Sequence, residues 1–419
     1  MQLVKIAWRN LTRNKMRTFI AVAAIAAVVT IVIFSRAFMS GATETIFGLY
    51  IDNNYGHVRV TTEEYNIRET ILPLDYTITG FNQGGAEEMD ELINQVEAVN
   101  YTVPRIRFGS MASIDGELIR MLGVGVDYDR ESTHGVIPDE ITEGRMAESG
   151  NEIVVGIGLL EEINRELNDT VTLMFSDSYQ SLQGRTFEIV GIRDTGVNDL
   201  DDNFFYLPLA TAQDMLYLDD QYSEIMIFGN SIADTTELKA DIETLLAEHG
   251  GDNYLAQTFR EANPIIETFD EVYDMMNFVY ILFILMGTIV IISVLTMIVR
   301  ERTSEIGMLS ALGLKAGDIM KIFILEGGFM GIIGSILGVV TGGLITYYYS
   351  INGLYVEEFA NTVAEADFLM EPVFHLSFSL ENLIFSFILS TIIVTLACFY
   401  PAFKAAKMDP AEAIHHVEE

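Results

Sequence analysis

NFVYILFILMGTIVIISVLTMIV, Asn277–Val299, runs directly into RERTSEIGMLSALG, Arg300–Gly313. The first stretch holds 23 residues and no charge. As a helix it is long enough to cross ~30 Å of hydrocarbon. The second stretch mixes charged, small and apolar residues in order, and another apolar window, Gly327–Ser350, follows soon after. Arg300–Gly313 is thus a short connection between two membrane spans. Thr303 or Ser304 can cap a helix there, Glu305 favours its positive end and Gly313 can end it. Ile306, Met308, Leu309 and Leu312 supply apolar contact area. A short capped helix of this kind is a good shape for docking onto a partner that does work. The plainer reading is an amphipathic connector.

Two more windows are long and nearly free of charge, about Thr18–Ser40 and Asn382–Phe403. The reading is an integral membrane protein with four spans: 18–40, 277–299, 327–350 and 382–403. Lys5, Arg9, Arg13, Lys15 and Arg17 precede the first span with no acid among them. Arg300, Arg302, Lys315 and Lys321 fill the connection 300–321, and Lys404 and Lys407 lie in the tail 404–419. The connection 351–381 has no Lys or Arg. Positive charge marks the cytoplasmic side. Both termini are therefore expected in the cytoplasm, with residues 41–276 and 351–381 outside. An apolar run this long, with no A-x-A site after it, is not expected to be a cleaved leader.

Within residues 1–17, Leu3, Val4, Ala7, Trp8 and Leu11 share one helix face beside Lys5, Arg9 and Arg13. This predicts an amphipathic helix on the cytoplasmic leaflet, with a basic leader that only sets topology as the alternative. The net charge of −36 is almost all in residues 41–276, which carry 46 Asp and Glu against 12 Arg and Lys, a net of −34. Nucleic acid and anionic lipid surfaces are not expected as partners of that region. The acid is either a solvated surface or an attractor of a basic partner. The one cysteine, Cys398, falls inside the fourth span, so disulfides do not stabilise the outer region.

The outer region alternates strand-like and helix-like segments. Strands are expected at 57–62, 101–107, 111–115, 118–126, 170–175, 187–192, 203–207, 224–228 and 253–258, and helices at 86–99, 158–167, 210–216 and 235–248. The two flanks look like βαβ-type pieces around a β-rich insertion, which predicts two subdomains, one of them discontinuous. Pro264 is placed to open a helix that runs on into the second span.

In the third span, Gly327, Gly331, Gly334, Gly338 and Gly342 share one face, which lets helix backbones approach closely. The face can serve a sliding contact, a second permease or static packing. Glu326 at the start of that span needs hydration or a partner such as Lys321 or Arg17. Arg36 near the outer end of the first span can snorkel to the surface. No catalytic constellation is visible. There is no G-x-x-x-x-G-K-[ST] loop. The six histidines lack metal-site spacing, His415–His416 included, and Asp199–Asp202 does not fit a calcium loop. No enzyme activity, cofactor or metal is expected.

One span, a large outer domain and three further spans is a topology that resembles the MacB and LolC/LolE superfamily of ABC transporter permeases, to which the FtsX proteins are distantly similar. RERTSEIGMLSALG resembles that family's coupling segment. FILEG at 323–327 resembles the start of its third span, YPAFKAAKMDPAEAI at 400–414 its C-terminal signature, and IAWRNLTRNKMRTFI its N-terminal segment. FEIVGIRDTG at 187–196 and LPLATAQDML at 207–216 look like the lipoprotein-releasing LolC/LolE branch.

The resemblance implies a four-span α-helical membrane protein with a large α+β extracytoplasmic domain, like the MacB periplasmic core, between helices 1 and 2. Its porter flanks map to about 50–108 and 203–262, and a sabre-like insertion to about 109–202. Residues 277–414 map to an FtsX-like permease domain of the inner membrane. The resemblance further implies a permease dimer, either two copies or this chain with a paralogue, and two ABC ATPase subunits. Work would pass by mechanotransmission, with Arg302, Glu305, Ile306, Gly307, Leu309 and Gly313 as the ATPase-coupling residues. MacB carries its ATPase on the same chain and this sequence shows no such motif. The departure points to the LolC/LolE type or to a stand-alone efflux permease; the leading expectation is extraction of lipoprotein cargo from membrane lipid, with or without a periplasmic carrier or adaptor. The alternatives are a MacB-type efflux permease for peptides or small molecules and an FtsX-like regulator of a cell-wall hydrolase.

Overall fold

The structure, a computed structural model, describes residues 2–13, 15–81, 84–114, 116–134, 137–148, 150–196, 198–301, 303, 308, 314–355 and 373–407. They fall into two compact units. A helical unit takes the chain up to Thr45, Phe269–Tyr355 and the residues from Val373 onward, and a sheet unit takes Ile46–Thr268.

Four helices of the described chain are long and apolar enough to cross a membrane, within Lys15–Tyr55, Met275–Arg300, Ala316–Asn352 and Leu380–Ala406. Each reaches beyond its apolar window, because charged residues at a span's end continue the helix. The N-terminal helix is Gln2–Arg13, and the first spanning helix starts at Lys15 and runs to Tyr50. The second is the helix Pro264–Glu301. The third begins at Ala316, inside the connection expected at 300–321. The fourth covers Leu380–Ala406, as Leu380–Ala397 and Phe399–Ala406 with a local irregularity at Cys398 between them. Pro401 accounts for the irregularity, since it has no N–H to donate to the carbonyl of Ala397. The connection 351–381 contains a small antiparallel pair, Leu354–Tyr355 with Val373–Phe374.

In the helical unit, Ile25, Val29 and Ile33 of the first span pack with Ile291 and Leu295 of the second, Met330 of the third and Val394 of the fourth. Hydroxyls join the helices where side chains are small. Thr30 Oγ1 lies 2.6 Å from Thr341 Oγ1, and the buried Ser335 Oγ lies 2.9 Å from Ser390 Oγ. In lipid such contacts help to hold helices that no hydrophobic effect drives together.

The sheet unit has ten strands: β1 Val58–Thr62, β2 Val99–Ile114, β3 Glu117–Val126, β4 Ile141–Gly144, β5 Glu152–Gly156, β6 Thr170–Ser176, β7 Leu182–Arg193, β8 Phe204–Pro208, β9 Glu224–Gly229 and β10 Tyr254–Thr258. They form one sheet in the order β10-β1-β9-β2-β3-β8-β5-β7-β4, with β6 off this path against β2 and β7. The β3–β8 and β5–β7 pairs are parallel and the rest antiparallel. One core joins Val58, Val60, Ile225 and Ile227 to the helices Gly85–Ile93 and Thr235–Glu248. A second joins Ile106, Phe108, Phe175, Phe187, Phe205 and Leu207 to the helix Leu209–Leu216.

The sheet runs across both expected subdomain boundaries. β2 crosses the one at 108/109 unbroken, because Gly109 is an exposed strand residue paired with Leu122 rather than a turn. β8 and the helix after it, expected in the second flank, pack in the second core, since β8 lies between β3 and β5. The two cores therefore share one continuous sheet.

Candidate functional site

Strand alternation builds an unexpected site in the sheet unit. Val58 and Val60 of β1 and Ile225 and Ile227 of β9 face the first core, so Arg59 and Glu224 point to the other side of the sheet. Ile106 and Phe108 of β2 face the second core, so Arg105 and Arg107 point the opposite way. The polar side chains do not reach water. Arg59 and Glu224 are fully buried, and Arg105 and Arg193 are 1 % exposed.

They gather on one turn. The first spanning helix ends at Tyr50 and closes with a single π-helical turn, Ile51–Tyr55. Helix ends leave carbonyls without intrahelical donors, and those carbonyls carry partial negative charge. Arg105 Nη1 donates to the Asn53 carbonyl at 2.5 Å, and Arg107 Nη2 to the Asn54 carbonyl at 2.7 Å. Arg193 of β7 donates to the Asn53 side-chain oxygen, and Arg59 lies over the Tyr55 ring at 5.0 Å. The chain leaves through Gly56, whose φ is +62°; a Cβ there would sit 2.9 Å from the backbone N and O of Ile227. Only glycine permits both that conformation and that approach.

Each arginine has a carboxylate. Glu224 accepts from Arg107 Nε at 2.6 Å and lies 3.4 Å from Arg59 Nη1. Glu69 takes Arg59 at 2.5 and 3.0 Å, Glu131 takes Arg105 at 2.6 Å, and Glu140 takes Arg193 Nε at 2.8 Å. Burial alone would raise the Glu69 pKa, but the Arg59 hydrogen bond and charge outweigh it and hold the carboxyl below its ordinary value. For Arg59, burial is likewise outweighed by Glu69 and Glu224, so its pKa is raised. The ensemble is a buried lattice of paired ions around the end of a helix, and such a lattice fixes a position more than it adds stability.

The expected coupling residues Arg302, Glu305, Ile306, Gly307, Leu309 and Gly313 lie outside the described residues, as do Ser304 and His415–His416. Thr303 is buried, and its hydroxyl donates to the Arg300 carbonyl at 2.6 Å.

The third-span glycines are used within the chain. A Cβ on Gly327 would strike Cys398, and one on Gly331 would lie 2.8 Å from Val394, both of the fourth span. Gly334, Gly338 and Gly342 lie against Ile25, Val29 and Ile33 of the first. Glu326 is buried and accepts a hydrogen bond from Asn10 of the N-terminal helix, while Trp8 meets Phe329 edge-on at 5.6 Å. Arg36 does not simply snorkel. It donates to Asn277 Oδ1 and Asn382 Oδ1, each at 3.2 Å.

The family model of the MacB-like periplasmic core domain matches residues 18–245, and that of the FtsX-like permease C-terminal domain matches residues 277–410. The lipoprotein-releasing system transmembrane protein LolC of Neisseria meningitidis serogroup B is 25 % identical over 279 residues, 63 % of this chain and 65 % of its own. The macrolide export ATP-binding/permease protein MacB of Bartonella henselae is 26 % identical over 356 residues, 80 % of this chain and 48 % of its own. This chain thus spans less than two thirds of either relative. A LolC of Xylella fastidiosa aligns at 21 % identity over 96 % of this chain and 95 % of its own. The chain belongs to the MacB/LolC family of ABC transporter permeases, with a MacB-like periplasmic core domain between its first and second membrane helices and an FtsX-like permease domain after it.

Proposed function

We propose that this chain is the permease subunit of a transporter that extracts lipoproteins from the outer leaflet of the cytoplasmic membrane. Separate ATPase subunits, two per complex, drive it. Both termini lie in the cytoplasm, the sheet unit lies outside, and a second permease copy or paralogue completes the membrane part. The observation that carries this reading is the near end-to-end alignment with a LolC protein, against 48 % coverage of a MacB. Lipid chains leaving the bilayer cost about 0.8 kcal/mol per exposed CH₂, so extraction needs work from outside the permease. In this scheme Arg302, Glu305, Ile306, Gly307, Leu309 and Gly313 receive that work from the ATPase. The buried ion lattice around Ile51–Tyr55 delivers it to the sheet by mechanotransmission.

A second reading, a MacB-type efflux permease working with an adaptor, is favoured by the MacB-like core domain and by the MacB relative. Purification from native membranes in mild detergent, with mass spectrometry of what accompanies the chain, separates the two. An ATPase together with acylated lipoproteins supports extraction. An ATPase with an adaptor and no lipoprotein supports efflux, and recovery of no ATPase at all refutes both. Leu309→Asp is expected to abolish stimulation of the ATPase while membrane insertion stays intact; normal stimulation removes Leu309 from the coupling set.

A further inference from the structure

Arg36 presents a cation without an anion. Its guanidinium carries five N–H donors and a fixed positive charge. Two donors go to neutral amide oxygens, Asn277 Oδ1 on the second span and Asn382 Oδ1 on the fourth. Its Cζ lies 4.4 Å from the centroid of the Phe385 ring and 5.7 Å from that of the Tyr280 ring. Its Nε is buried without a hydrogen-bond partner, as are Arg59 Nε, Arg105 Nε and Arg193 Nη1 in the sheet unit, so the contrast lies in the missing carboxylate. Among the described residues no carboxylate pairs with it. This is unlike the sheet unit, where every buried arginine described above has a carboxylate within hydrogen-bond distance. A half-buried charge in an apolar setting is costly until an anion or water compensates it.

Its position says which anion is at hand. Arg36 lies 19 residues along the same helix from Arg17. At 1.5 Å per residue this is about 28 Å, close to the ~30 Å thickness of the hydrocarbon layer. With Arg17 at one interface, Arg36 stands at the headgroup layer of the other. The anion there is lipid phosphate, and the planar fork of a guanidinium matches two phosphate oxygens at once.

We propose that Arg36, oriented by Asn277 and Asn382 and flanked by Phe385, binds the headgroup phosphate of a phospholipid between the outer ends of the first, second and fourth spans. The site requires only that these helices span a membrane, and does not depend on the cargo.

The test uses the full chain in mild detergent and native mass spectrometry. The probes are phosphatidylglycerol, a diacylglycerol with the same acyl chains and no phosphate, and inorganic phosphate as competitor. Phosphatidylglycerol is expected to stay bound where the diacylglycerol is lost, and this comparison needs no variant. Arg36→Gln is expected to weaken phosphatidylglycerol binding about tenfold, the scale of one charged hydrogen bond. Arg36→Lys keeps the charge but not the planar fork, and is expected to bind more weakly than the parent and more tightly than Arg36→Gln. Equal retention of the two lipids, or unchanged binding in Arg36→Gln, overturns the proposal. Displacement by inorganic phosphate at an affinity equal to the lipid's makes this a site for free anions, which also overturns it.

Discussion

Replacing Glu224 by alanine tests whether the ion lattice holds the turn in place. Glu224 is fully buried, with Arg107 Nε at 2.6 Å and Arg59 Nη1 at 3.4 Å. Once it is gone, Arg59 retains Glu69, but Arg107 retains only the Asn54 carbonyl. A guanidinium is then buried with no carboxylate. Removing one partner of a buried pair costs about 3–5 kcal/mol, because the other charge is left uncompensated. The affected backbone is that of β1 and β9, which pair through Arg59 and Met226.

Hydrogen exchange read by mass spectrometry reports the opening of those strands directly. Where reclosing outruns exchange, 3–5 kcal/mol speeds it by about 10²- to 4×10³-fold, up to the limit set by global unfolding. Glu243→Ala is the internal control. Its carboxylate is 54 % exposed and lies 3.5 Å from Lys239, so its loss costs under about 1 kcal/mol. If the β1 and β9 amides of the Glu224→Ala protein exchange no faster than those of the Glu243→Ala protein, Glu224 does not hold the lattice together and the reasoning fails.

Two further outcomes follow from packing and from charge. A Cβ on Gly338 would lie 2.6 Å from Val29 Cβ and 2.8 Å from the Ala26 carbonyl, and backbone yields less than a side chain, so Gly338→Ala should lose about 1–3 kcal/mol in a detergent unfolding titration. Gly343→Ala, whose nearest neighbour is Leu383 at 3.6 Å, should be near neutral; equal effects in both would show that the close helix approach is not tight. Burial pushes the Asp201 carboxyl up to about 6, offset in part by hydrogen bonds from Thr195. Its folded value is raised, so its contribution is fully present below the unfolded value of 3.8 and is lost as pH rises through about 6. The stability difference between parent and Asp201→Asn should therefore shift against the parent by on the order of 1–3 kcal/mol from pH 4 to 7, and a flat difference refutes the assignment.

The spans were legible because an uncharged window of membrane length has few other uses. The ends were less so. Lys15 and Glu301 continue helices past the apolar windows, and the fourth span is irregular at Cys398, although Pro401 was there to be read. In the sheet unit, β5 escaped notice because EIVVG is too short for its periodicity to separate strand from helix. The lattice was half visible. Arg105 and Arg107 alternate with Ile106 and Phe108, which marks a strand with one charged face. A charged face usually meets water. Nothing local shows that Glu131 and Glu224, 26 and 117 residues away from their arginines, fold over to meet them.

The composition of that joint bears on how it would serve as a force-bearing contact. Apolar contacts are non-directional, and a turn resting on them can slide until the buried area changes. The turn Ile51–Tyr55 is held instead by donors aimed at the Asn53 and Asn54 carbonyls from β2 and at the Asn53 side chain from β7. Displacing it would strand both the carbonyls and the guanidiniums, each costly when buried. Such a lattice adds little net stability over an apolar core of the same volume, but it penalises neighbouring positions steeply. That property suits a joint required to pass on a displacement rather than absorb it. If the chain is the ATP-driven permease proposed above, loss of Glu224 should leave ATPase stimulation intact and abolish release of cargo, whereas loss of Leu309 should abolish both.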